Sequence, residues 1–337
     1  MVAAINPRSI GWTGSLIVAL LVPVVVGTPY YLSTGTFALM YVALAVAFDL
    51  VVGRIGALSL AQPVFYGYGA YVAALLATHP RPGPGFWVEA LAAAIGAPIL
   101  ALAIGIPAFR LSLHSFAMGT LGFALIAELV ANNWLSVTRG PLCISAIAPL
   151  RLSYPGGTLI VTTNQQAYYV ILAIAVVAIL SVGLVSRSRL GMAFWAVRDD
   201  PMLAAARGLS PNQLRLLAFA VSAALSALVG VFAAHFETVV CPSYIDLSIT
   251  VLLLIMVFVG GRGSLRGVVT AAVIFTVVPE LLRIAESMRL VIFGAILLVT
   301  VIAFPDGFEH LYARTGRFIS RSRSRALPAS SEAAGKA

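Results

Sequence analysis

The chain has 337 residues, of which 61% are apolar and only 10% charged, with a net charge of +9 and a mean hydropathy of +1.01. A soluble globular protein is about 45–50% apolar and about 25% charged, so this composition excludes one. The apolar excess falls in blocks near the ~20 residues a helix needs to cross ~30 Å of hydrocarbon, which predicts an all-α, polytopic helical membrane protein.

Taken in chain order, apolar blocks bounded by charges and Gly/Pro/Asn clusters predict about ten spans. They lie near residues 10–26, 36–52, 58–77, 86–108, 115–131, 167–185, 214–236, 248–259, 268–281 and 290–304. With the N-terminus in the cytoplasm, most of the 21 Lys and Arg residues fall on that side. Only Arg81, Arg139, Arg151, Arg283 and Arg289 fall on the other. This is the positive-inside bias, and it accounts for the basic charge without a nucleic-acid partner. Both termini are then cytoplasmic. Residues 1–313 form the transmembrane domain, and the Ser/Ala/Pro-rich stretch 314–337, with Arg321, Arg323 and Arg325, reads as a disordered basic tail.

The residue inventory leaves little room for catalysis. The single lysine, Lys336, excludes a Walker A loop, whose lysine must reach the nucleotide phosphates, and Schiff-base chemistry with it. His79, His114, His235 and His310 follow no metal-ligand spacing, and there is no G-x-S-x-G elbow. Two cysteines are too few for a Cys-rich metal site. The reading is a non-enzyme with no catalytic residue, no metal and no cofactor of its own. Asp49, Glu89, Glu128 and Glu280 lie near span ends, so no mid-depth charge cluster marks a proton or ion path.

Two connections are long. The external one, 132–166, can cap an opening or dock a soluble partner. In the cytoplasmic one, 186–211, Asp199 or Asp200 can cap a short helix that starts at Pro201 and ends before Gly208. Two turns of helix are marginal alone in water and need a groove, which suits force transfer from a soluble subunit. Two Gly-rich breaks open spans on the same side. One holds Gly53, Gly56 and Ser59, then Phe65, Gly67, Gly69 and Tyr71; the other holds Gly260, Gly261, Gly263, Ser264 and Gly267. Paired breaks of this kind point to a transporter repeat with a translocation pathway or hinge between its halves.

At these residues the chain resembles the branched-chain amino-acid ABC transporter permeases of the LivM type, in the LivH/LivM permease family. The resemblance runs through Gly53-x-x-Gly56-x-Leu58-Ser59-Leu60, Phe65-x-Gly67-x-Gly69-Ala70-Tyr71 and Asn132-Asn133-Trp134. It continues at Ser188-Arg189-Leu190-Gly191, Ala196-Val197-Arg198-Asp199, Ala204-Ala205-x-x-Gly208 and Val259-Gly260-Gly261-x-Gly263-Ser264-Leu265-x-Gly267. It implies a passive subunit of an importer in the bacterial inner membrane. Its partners would be a second, LivH-like permease, two cytoplasmic ABC ATPase subunits carrying ATP and Mg, and a periplasmic substrate-binding protein. Arg198, Asp199, Asp200, Ala204, Ala205 and Gly208 would then form the ATPase-coupling segment. The implied cargo is branched-chain amino acids; related permeases handle urea or short amides, and a stand-alone secondary carrier or channel is the reading from another class. The chain departs from the pattern at Thr138-Arg139-Gly140-Pro141 and Cys143, where the family carries further glycines. Cys143 and Cys241 both fall on the external side, where a disulfide can form if their Cα atoms lie within ~7 Å.

Overall fold

The computed structural model describes residues 19–21, 23, 28–78, 85–111, 113–154 and 157–281. The expected span at 290–304, most of that at 10–26 and the tail at 314–337 lie outside the described residues. Helix α1 (Pro29–Asp49) passes into a π turn over Leu50–Arg54. There follow α2 (Gln62–Thr78), α3 (Phe86–Ala108), α4 (Leu113–Asn133) and the single turn α5 (Leu135–Thr138). Strands β1 (Arg151–Tyr154) and β2 (Gly157–Ile160) come next, then α6 (Asn164–Arg187), α7 (Arg189–Asp199) and α8 (Pro201–Ala206). The described chain closes with α9 (Pro211–Glu237), α10 (Leu247–Gly260) and α11 (Leu265–Leu281).

Among the described residues six segments are long and apolar enough to cross a membrane: α1 with its π turn, α3, α4 from Ser115, α6, α9, and Pro242–Gly260, which joins a 3-10 turn to α10. Helices α2 and α11 have 17 residues each, about 25 Å at 1.5 Å per residue. The arrangement follows from which helices are apolar on every side. Helix α1 is buried at every position from Val42 to Asp49 and most of α9 is buried likewise, as a helix without a polar face must be when surrounded by others. These two form the centre. Helix α9 packs on α2 and α3, while α1 packs on α6, α11 and α9. The outer helices α3, α4 and α6 instead turn large apolar side chains such as Leu91, Leu129 and Leu184 outward, the surface lipid or a membrane partner would cover.

Close crossings rest on small residues. A Cβ placed on Gly69 would lie 2.0 Å from Ala227 O, and one on Gly230 would lie 2.0 Å from Tyr66 O, so α2 and α9 meet backbone to backbone. Gly267 and Gly260 do the same for α10 and α11. Such contact gives dispersion and carbonyl–CH attraction where no hydrophobic effect separates helix from lipid.

Three local departures from the sequence reading have physical reasons. The span expected to open at Leu58 opens at Gln62, because Ile55–Ala61 is drawn out by hydrogen bonds to other helices. The connection 132–166 carries an antiparallel hairpin, with Arg151 opposite Ile160, rather than loop alone. The connection 186–211 holds α7 besides the short α8; its Gly191, Phe194 and Val197 pack inward at helical spacing.

Candidate functional site

The site begins where α1 stops being an α-helix. Non-helical backbone at membrane depth is tolerated only where protein or a water-filled cavity satisfies its polar groups. Here Ala57 N–H donates to Val51 O at 3.1 Å, and Leu60 N–H donates to Thr120 Oγ1 of α4 at 3.0 Å. Thr250 Oγ1 of α10 donates to Leu60 O at 3.3 Å, and Ala61 N–H donates to Ser59 Oγ at 3.3 Å. The segment is buried at Ile55, Ala57, Ser59 and Ala61. Just beyond it Gln62 Nε2, fully buried, donates to Ser222 Oγ at 3.1 Å and Ser226 Oγ at 2.5 Å on α9. Ser222 Oγ in turn lies 2.6 Å from Ala47 O of α1. A belt of short polar side chains from α2, α4, α9 and α10 therefore holds the break at the middle of the bundle.

The break's other end is a knot of charges. Asp49 is fully buried; its Oδ2 lies 3.4 Å from Arg54 Nε and its Oδ1 accepts from Gly263 N–H at 2.8 Å. The guanidinium of Arg54 also donates to Ser186 Oγ at the end of α6. The second Gly-rich break thus docks on the first through a single carboxylate. Glycine is required at both: a Cβ on Gly53 would lie 1.9 Å from Asp49 Oδ1 and 2.6 Å from Gly263 N, and Gly263 has φ +86° with the Trp195 ring 2.8 Å from where its Cβ would be. The left-handed φ is open to glycine at no steric cost.

The loop helix α7 reaches into this knot. Arg198 donates from its guanidinium to Gly53 O, stacks over the Trp195 ring at 4.7 Å, and lays its stem against Gly56. Burial, followed by the positive charge of Arg262, lowers its pKa from the usual guanidinium value, while Asp199 and Asp49 oppose the shift. The next turn, α8, is capped by Asp200, whose Oδ1 accepts from Met202 N–H at 2.8 Å and Leu203 N–H at 3.0 Å. It ends where Gly208, at φ +83°, turns the chain and Leu209 N–H reaches back to Ala204 O. Asp199 and Ala205 are exposed and Ala204 is buried. Met202, Leu203 and Met192 stay outward, 84, 55 and 66% exposed.

Other residues singled out from the sequence lie elsewhere. Phe65 is buried in the core against Phe219, with ring centroids 5.1 Å apart. Gly67 faces Ile245 and Gly69 faces Ala227, at helix crossings. Tyr71 is buried with no hydrogen-bond partner for its hydroxyl among the described residues. Gly261 and Ser264 make the turn that presents Gly263, Ser264 N–H bonding Gly261 O at 3.0 Å. At the opposite end of the bundle Cys143 and Cys241 are joined, with Sγ atoms 2.08 Å and Cα atoms 4.5 Å apart, beside the Ile144–Val240 bridge. Two of the acidic groups near span ends are engaged: Glu89 Oε2 meets His235 Nε2 at 2.5 Å and Glu280 Oε1 accepts from Tyr30 at 3.0 Å. Sequence reading missed Gln62, Ser222, Ser226, Trp195 and the Glu89–His235 pair; Gln62 and His235, polar residues inside apolar spans, were the signal available.

A multi-pass helical membrane protein with a buried helix break, two glycine turns sharing one carboxylate and a loop helix wired into them is a membrane permease in architecture. The family of the branched-chain amino acid transport system / permease component matches residues 30–301. The high-affinity branched-chain amino acid transport system permease protein LivM of Escherichia coli (strain K12) is 30% identical over 315 residues, covering 86% of this chain and 73% of that protein. LivM of Salmonella typhimurium (strain LT2) gives the same identity and coverage, and the permease protein LivH of Escherichia coli (strain K12) is 24% identical over 288 residues, 81% of this chain and 92% of LivH. No solved structure matches. The chain belongs to the branched-chain amino acid transport permease family, and is similar to both LivM and LivH.

Proposed function

We propose that this chain is one permease subunit of an ATP-driven importer that carries branched-chain amino acids across the bacterial inner membrane, with both termini cytoplasmic. In this reading it crosses about ten times, the outermost spans lying at 10–26 and 290–304, with the two Gly-rich breaks marking an internal repeat. It pairs with a LivH-like permease, two ABC ATPase subunits that hold ATP and Mg, and a periplasmic binding protein. The observation that carries it is the contact of Arg198 with Gly53 O. The loop helices α7 and α8, with Met192 exposed on the first and Met202 and Leu203 on the second, offer apolar side chains to a soluble subunit, and the same loop grips the carbonyl beside the helix break. Displacing α7 and α8 would then shift Gly53, Asp49 and Gly263 together.

Pull-down of the tagged chain in gentle detergent from its native membrane is expected to bring an ATPase and a second permease. Arg198→Glu is expected to leave membrane insertion and ATP hydrolysis in place while lowering uptake at least tenfold. Asp199→Lys and Gly208→Pro, the latter because proline cannot adopt φ +83°, should act in the same direction. Wild-type uptake in all three variants overturns the coupling role. Transport in liposomes by the chain alone would move it to the secondary carriers. A binding protein that captures urea or an amide instead would change the cargo and leave the subunit reading intact.

A further inference from the structure

At the end of the bundle marked by the Cys143–Cys241 bond, a cavity of about 260 Å³ opens between α1, α2, the end of α9 and the 3-10 turn Pro242–Ile245. It has two chemically different walls. One is built from Tyr66 and Tyr244, stacked at 5.3 Å with 13° between their planes, together with Tyr41 and the exposed carboxylate of Glu237. Tyr244 lines the cavity together with that carboxylate, and its hydroxyl donates to Val239 O at 3.3 Å. The other wall is apolar, with Phe37 and Leu44 from α1. No lysine, arginine or histidine is among the described residues that line it.

A cage of electron-rich rings with one carboxylate attracts a cation. Tyrosine ring faces attract ammonium groups by their quadrupole, the hydroxyl oxygen can accept from them, and a carboxylate adds a charge-assisted hydrogen bond. Among the described residues that line the cavity Glu237 is the one charged side chain, so the formal charge there favours a cation over an anion. The apolar wall suits a compact branched hydrocarbon, and Tyr66 stands one turn beyond Gln62, where the broken segment ends. A solute in the cavity therefore sits next to the polar belt.

We infer that this cavity is a solute-binding station that recognises the ammonium end of a compact amphipathic amine or amino acid through Glu237 and the Tyr66–Tyr244 pair. The inference rests on the permease reading above and adds the group on the solute that is read and the residues that read it. The solute's carboxylate, where it has one, faces the open mouth.

The test uses the permease assembly in nanodiscs without its binding protein, observed by saturation-transfer NMR. The probes are leucine, 3-methylbutylamine, which lacks the carboxylate, and 4-methylpentanoate, which lacks the ammonium. Leucine and the amine are expected to bind, 4-methylpentanoate at least tenfold more weakly. Glu237→Gln, nearly isosteric at an exposed position, is expected to weaken the amine at least tenfold, and Tyr66→Leu to do so by a smaller factor. Equal binding of the carboxylate and amine probes, or unchanged amine binding in Glu237→Gln, overturns the inference. Binding-protein-dependent uptake measured in parallel separates the two readings. Leucine uptake by the wild type together with unaltered binding in Glu237→Gln sinks the station alone. An assembly that moves no branched-chain amino acid sinks the cargo assignment, while the amine arm still decides whether the cage exists.

Discussion

Asp49→Ala is expected to destabilise the purified chain by about 3–5 kcal/mol, the cost of removing one partner from a buried ion pair. The carboxylate is fully buried and serves Arg54 and Gly263 N–H at once, and Arg198 comes within its field. Its loss leaves the buried Arg54 guanidinium without its carboxylate, and the Gly263 N–H without an acceptor. Asp49→Asn retains an acceptor for Gly263 N–H, so it should cost less. Combining it with Arg54→Met, which removes the stranded cation, should cost less than the two single changes summed, because residues in one network are not additive. Equilibrium unfolding in mixed micelles measures all four proteins. Wild-type stability in Asp49→Ala would mean that the two Gly-rich breaks are held together by something other than this carboxylate.

Gly230→Leu should be damaging on a similar scale. Even the first atom of a side chain there would lie 2.0 Å from Tyr66 O, and the nearest obstacles are backbone atoms that no rotamer change can move. Helices α2 and α9 would have to separate along the crossing that also carries Gly69, with a loss of about 3 kcal/mol or more from overpacking. Gly122 on α4 is the internal control, since nothing lies within 4 Å of its would-be Cβ. Gly122→Leu should fall within about 0.5 kcal/mol of the wild type in the isolated chain. Thermal unfolding with size-exclusion chromatography compares them; equal profiles for the two leucine variants would contradict the backbone contact.

Much of the bundle is legible from apolar block length, and the helix starting at Pro201 and ending before Gly208 is legible from capping chemistry, with Asp200 the cap. The break is harder to read. Leu58, Ser59, Leu60 and Ala61 have the composition of a span, and what makes them extended is a threonine from α4 and another from α10, sixty and 190 residues away. The same distance hides Glu89 from His235, 146 residues apart, and Gln62 from Ser222 and Ser226. Arg198 shows the opposite failure. A basic residue in a polar loop reads as facing a soluble partner, yet its guanidinium turns inward to Gly53 O because the glycine at 56 leaves room for its stem.

The knot also bears on how the chain is made. Gly263 follows Asp49 by 214 residues, so at ~5–20 residues per second the ribosome delivers it some 10–40 s later. For that interval a carboxylate bound for a water-free position has only its near neighbours. Arg54, brought beside it by the π turn, is such a neighbour from the start. The local ion pair thus shields the charge on the nascent chain, and the distant glycine later adds a hydrogen bond to a carboxylate already paired.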